Sequence, residues 1–118
     1  MKTLSKQTRI LSEGLVANEL IKKGFQILKR NFASRFGEID IIAKDGDTLV
    51  FVDVKAKKKI ELGRLEEMIN ASKLKRIQNM ETIYMKGKAF LCRIDIVTVI
   101  FTPENKAASL THYKNVYS

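Results

Sequence analysis

The chain has 118 residues, 45% of them hydrophobic, and a formal net charge of +9. That length suits a single domain over residues 1–118 with one core, and no apolar run approaches the ~18 residues of a membrane span. With no signal-like segment at its start, a cytoplasmic protein without a membrane partner is expected, and the charge points to a polyanion such as nucleic acid.

Residues 4–23 have the periodicity of an amphipathic helix stopped by Gly24. Glu13 falls on its apolar side, between Ile10 and Ala17. If the helix starts near Ser12, Glu13 is a first-turn acid complementing the helix dipole; otherwise it is a carboxylate aimed at the sheet. Residues 25–32 follow as a first strand, and a turn over residues 34–37 leads into a hairpin, Gly37–Lys55.

The hairpin carries the chemistry. A two-residue Asp45-Gly46 loop pairs Lys44 with Asp47 and sets Asp40 opposite Phe51. Side chains alternate along a strand, so Asp40, Phe51, Asp53 and Lys55 share a face. Asp40 and Asp53 become diagonal neighbours about 7–8 Å apart, able to share one hard divalent cation. Residues 38–53 hold five of the thirteen acids and one base, Lys44; Lys55, Lys57, Lys58 and Lys59 follow at once. Carboxylates set in a basic surface suit a metal-dependent phosphodiester enzyme, although a solvated surface with lysines guarding a sheet edge would have the same composition.

A second helix is expected over residues 63–86, ended by Gly87, with apolar residues Leu65, Ile69, Ile77, Met80 and Tyr84. Lys73 fills the gap in that stripe and points toward the sheet, either snorkelling outward or reaching a phosphate or carboxylate. Residues 89–101 are apolar on both faces, as in an interior strand, and there Cys92 is expected to be a buried, inert thiol. One cysteine excludes an internal disulfide, and one histidine, His112, leaves little room for zinc. A working metal would then have oxygen ligands, as Mg²⁺ or Mn²⁺ does. Residues 103–105 turn the chain into a weak last strand near 110–116. The order α-β-β-β-α-β with a weak final strand implies an α/β or α+β sandwich.

The strings Gly37-Glu38-Ile39-Asp40-Ile41-Ile42-Ala43 and Leu49-Val50-Phe51-Val52-Asp53-Val54-Lys55 resemble the signature of the YraN family of small bacterial proteins. Glu13, Ala17, Leu20 and Gly24-Phe25 match its first helix, Lys73 its second, and Arg93-Ile94-Asp95-Ile96-Val97 its late strand. Asp53 stands where that family usually has Glu, Ser12 where Gly is usual, and Lys57 where Arg is common. The resemblance implies a restriction-endonuclease-like core of the PD-(D/E)xK type, a mixed central sheet flanked by helices, similar to archaeal Holliday-junction resolvases. It also implies a metal-dependent endonuclease on DNA, dimeric if it resolves four-way junctions. Asp40, Asp53 and Glu13 would hold Mg²⁺ or Mn²⁺, with the Val54 carbonyl a further candidate. Lys55 would activate water, Lys73 would hold a phosphate, and Lys57, Lys58, Lys59, Arg64 and Arg76 would track the backbone. Glu38 would tune the site or cap its strand, and Arg93 with Asp95 would form a supporting ion pair. A non-catalytic nucleic-acid-binding adaptor of the same fold is the alternative.

Overall fold

The computed structural model describes residues 5–58, 70–86, 88 and 90–117. Helix α1 (Lys6–Lys22) is followed by strands β1 (Gln26–Ser34), β2 (Gly37–Asp45) and β3 (Thr48–Lys58), helix α2 (Ala71–Met85), and strands β4 (Cys92–Phe101) and β5 (Ala107–Tyr113). The five strands form one mixed sheet in the order β1-β2-β3-β4-β5. Among the described strands only β3 and β4 run parallel, which requires a crossover, and α2 lies within it. The expected α/β order holds, with the weak last strand at the edge but three residues earlier than its apolar pattern suggested. Among the described residues no helix is long and apolar enough to cross a membrane.

Alternation along the strands builds a core on each face. Ile41, Ala43, Val50, Val52, Val97, Val99 and Phe101 meet Val16, Ala17 and Leu20 of α1. Ile42, Leu49, Phe51 and Ile94 meet Met80 of α2, with Leu74, Ile77 and Tyr84 at the margin. Each fully buried aliphatic side chain contributes roughly 1.5–3 kcal/mol, so the two helices are held chiefly by these contacts. Ser12 is fully buried and its hydroxyl donates to the Thr8 carbonyl at 2.8 Å, which satisfies it.

Several expectations are corrected. The α1 N-cap is Ser5, whose side chain accepts from the Thr8 N–H, so Glu13 lies two turns in and has no dipole role. The second helix does not run unbroken from residue 63: Asn70 is an extended N-cap accepting from Lys73 N, and residues 63–69 lie outside the described ones. At its other end the C-cap Lys86 is left-handed, at φ 52°, and Gly87, expected to end the helix, lies outside the described residues. The hairpin register is shifted by two. Asp45 pairs with Thr48, Lys44 with Leu49 and Ile42 with Phe51, so Gly46-Asp47 is the loop. Gly46 has φ 60° and Asp47 has no positive φ, the pattern of a turn that wants Gly first, as in type II′. Phe51, Asp53 and Lys55 lie on one strand and share a face whatever the register; Asp40, expected on that face through the pairing with β3, lies beyond the last β2–β3 pair, Ile41↔Val52. Cys92 is exposed at the very start of β4 and not buried within it; Leu91 before it is not yet strand.

Candidate functional site

The β2–β3 ladder ends at Ile41↔Val52, whereas β2 stays paired with β1 as far as Ser34↔Gly37. The first residues of β2 thus leave β3 and form a fork. Two features mark the departure. Asn31 in β1 is left-handed, at φ 54°. Ile39 belongs to the α2-side core while Ile41 belongs to the α1 side, so regular alternation is broken between them. In the fork, the Val54 N–H that would have continued the ladder donates to Asp40 Oδ2 at 2.8 Å.

Glu13, Glu38 and Asp40 each offer a carboxylate oxygen within 4.8 Å of the others. With its carboxamide nitrogen turned toward them, Asn31 donates to Glu13 Oε1 at 2.9 Å and to Glu38 Oε1 at 3.2 Å. Burial pushes the Asp40 carboxyl up to about 7, opposed by the Val54 N–H and reinforced by Asp53, Glu13 and Glu38. Glu13 is also raised, by burial first and then by Glu38. Four carboxylates crowd a partly desolvated space, and the charge deficit there is of the kind a hard cation relieves.

Asp53 faces the α2 side, where Oδ2 accepts from Lys73 Nζ and lies 3.7 Å from Lys55 Nζ. Asp53 is 19% exposed, Lys73 13% and Lys55 36%, so Lys73 does not snorkel to open water. Burial draws the Lys73 ammonium below its ordinary value against the pull of Asp53. For Lys55 burial is again the largest influence and acts in the same sense, but Asp53, the contact with Lys73 and Asp40 together outweigh it and the result is raised. Around these groups lies a cleft of about 350 Å³. It is lined by the charged Glu38, Asp40, Asp53, Lys55, Lys57, Lys73 and Arg76, interleaved on β3 and α2 with the apolar Phe51, Ile77 and Met80, and by Phe36.

The structure therefore brings Asp40, Asp53, Lys55, Lys57, Lys73 and Arg76 together, with Glu13 arriving behind Asp40 from the α1 face. Lys58 follows Lys57 on β3 but does not line the cleft. Lys59 and Arg64 lie outside the described residues. Two members were missed or left open by sequence reasoning. Glu38 is an equal partner in the carboxylate cluster; its i, i+2 spacing from Asp40 was a visible signal. Asn31 had none, because an asparagine in a strand announces neither a left-handed backbone nor a bridge to a helix.

Arg93 and Asp95 form the expected ion pair, on the other face. Fully buried Asp95 accepts from Arg93 Nε at 3.0 Å and from the Asn115 N–H at 2.9 Å, and its Oδ2 lies 2.8 Å from His112 Nε2. Arg93 also donates to Asp45 at 2.9 Å. These bonds hold the Asp95 carboxyl below its ordinary range despite burial. This network ties β2, β4 and the segment after β5 together and stays away from the cleft.

Residues 12–99 match the profile of the uncharacterised protein family UPF0102. A UPF0102 protein of Pelotomaculum thermopropionicum is 37% identical over 110 residues, covering 91% of this chain and 92% of that one. One from Dictyoglomus turgidum is 34% identical over 116 residues, covering 96% and 98%. A third, from Clostridium tetani, is 35% identical over 120 aligned positions, covering 99% and 98%. The matched segment spans every acidic and basic residue of the cleft described above, and the chain belongs to the UPF0102 family, the YraN family of the sequence resemblance.

Proposed function

We propose that the protein is a metal-dependent phosphodiesterase acting on nucleic acid, most simply a DNA endonuclease of the PD-(D/E)xK type. The observation that carries this reading is the cleft wall itself: Asp40 and Asp53 beside Lys55 and Lys73, with Glu13 and Glu38 close behind. The donor set fits a hard cation, being all carboxylate oxygen and short of counter-charge at Asp40. Asp40, Glu13 and Glu38 would hold Mg²⁺ or Mn²⁺ at the fork, and Asp53 would join once released from Lys73. Such an ion polarises a phosphate and lowers the pKa of water bound to it. Lys55, the more exposed ammonium, orients the attacking water and offsets charge growing on the phosphate oxygens. Lys73 takes the phosphate in exchange for Asp53, and Lys57 and Arg76 hold neighbouring phosphates in register.

A second reading has its own support. Asp53 is already matched by two lysines, as it would be in a nucleic-acid-binding adaptor that no longer needs a metal. A cleavage assay separates the two. Single-stranded, duplex, flap and four-way-junction DNA are incubated with Mg²⁺ or Mn²⁺, beside an Asp40→Asn/Asp53→Asn control. Cleavage absent from the control establishes the enzyme. Binding without cleavage on every substrate, with no Mn²⁺ uptake by calorimetry, leaves the adaptor.

A further inference from the structure

Phosphates have no need of the apolar residues that also line the cleft, Phe36, Phe51, Ile77 and Met80. Phe51 and Met80 are buried in the α2-side core, whereas Phe36 is only partly buried, so Phe36 is the ring the cleft can offer to a ligand. Phe36 occupies the two-residue turn between β1 and β2. It is pinned there, since Ser34 Oγ accepts from Phe36 N at 3.1 Å and donates to Met80 Sδ. The exposed Arg35 lays its guanidinium over the Phe36 ring, 4.9 Å from the centroid. A guanidinium plane on an aromatic ring is a ready surface for a nucleobase, which stacks on either. At about 350 Å³ the cleft lies near the lower end of small-molecule pockets, enough for one nucleotide and too small for a stacked base pair.

Resting on the nucleic-acid reading above, we infer that the cleft receives a single unpaired nucleotide, its phosphate against Lys55, Lys57 and Lys73 and its base against the Arg35–Phe36 turn. Both ends of that ligand are matched: the anionic phosphate by the lysines, the flat base by the Phe36 ring. In a continuous duplex the base is stacked between its neighbours and paired, so it cannot reach the turn without being extruded, which costs a few kcal/mol. The Arg35–Phe36 turn is therefore a specificity element for gaps, flaps and single strands, selecting where a strand is held.

The test is equilibrium binding by fluorescence anisotropy with Ca²⁺ replacing Mg²⁺. The probes are a labelled single strand, its blunt duplex and the same duplex with a short gap. Phe36→Leu keeps the apolar contact to the α2-side core but removes the aromatic face. Wild type should prefer the single strand and the gapped duplex to the blunt one. Phe36→Leu should shrink that preference by about 5- to 100-fold, the usual worth of one stacked base. Thermal unfolding of the variant, run alongside, confirms that the loss is not one of fold. An unchanged preference in a folded Phe36→Leu, or equal wild-type affinity for blunt and gapped duplex, overturns the inference. Mn²⁺ calorimetry without nucleic acid reports separately on the metal site, so failure of the phosphodiesterase reading is seen independently.

Discussion

Replacing Asp40 by asparagine should make the metal-free protein more stable, and by an amount that depends on pH. The Asp40 carboxyl is displaced from 3.8 to about 7, so the folded state binds its proton more tightly than the unfolded chain. Stability therefore falls as pH rises through that interval, at about 1.4 kcal/mol per pH unit, and levels off above about pH 7. Three units set a ceiling of about 4 kcal/mol. Asparagine keeps an oxygen for the Val54 N–H and turns an amide toward Glu13 and Glu38 in place of a fourth charge. The expected gain is near zero at about pH 4 and roughly 1–4 kcal/mol at about pH 8, or several degrees in Tm. Urea unfolding in chelator across that range measures it. Saturating Mn²⁺ should then stabilise wild type and leave Asp40→Asn unmoved. A variant less stable than wild type at pH 8, or a gain equal at both pH values, would show that carboxylate crowding is not what Asp40 experiences.

Four further outcomes follow from the same geometry. Asn31→Gly keeps the left-handed backbone but drops the carboxamide between Glu13 and Glu38, so Mn²⁺ affinity should fall about 10-fold by calorimetry; unaltered affinity removes Asn31 as a positioning residue. Lys73→Ala frees the Asp53 carboxylate, so Mn²⁺ should bind more tightly while single-stranded DNA binds more weakly; weaker binding of both would mark Lys73 as structural. Asp95→Asn removes the anion beside His112 and leaves Arg93 with Asp45 alone, and should cost about 3–5 kcal/mol near neutral pH. Because Asp95 is held below its ordinary range, its contribution is present above about pH 4 and is lost as pH falls through the lower folded value; the variant's acid limb should be correspondingly flatter in urea titrations. The Cys92 thiol is pushed up to about 11 by burial and by Glu81. It should therefore react slowly with a disulfide reagent at about pH 8 despite its exposure, and Glu81→Gln should speed it; fast wild-type reaction would contradict that environment.

The order of elements, the apolar interior of β4 and the common face of Phe51, Asp53 and Lys55 were all legible in the chain, because local periodicity decides them. The register shifted by two because either Asp45-Gly46 or Gly46-Asp47 can close the hairpin, and the choice depends on which loop residue takes positive φ. What only the tertiary structure decided is where strands stop pairing. The departure of β2 from β3 after Ile41↔Val52 opens the fork and turns the Val54 N–H to Asp40. Through it Glu13 approaches from one helix while Lys73 comes from the other. Alternation assigns a residue to a face, but contact between faces arises where the ladder ends. That end is set by long-range competition among β1, β3 and two helices, which no short stretch of sequence encodes.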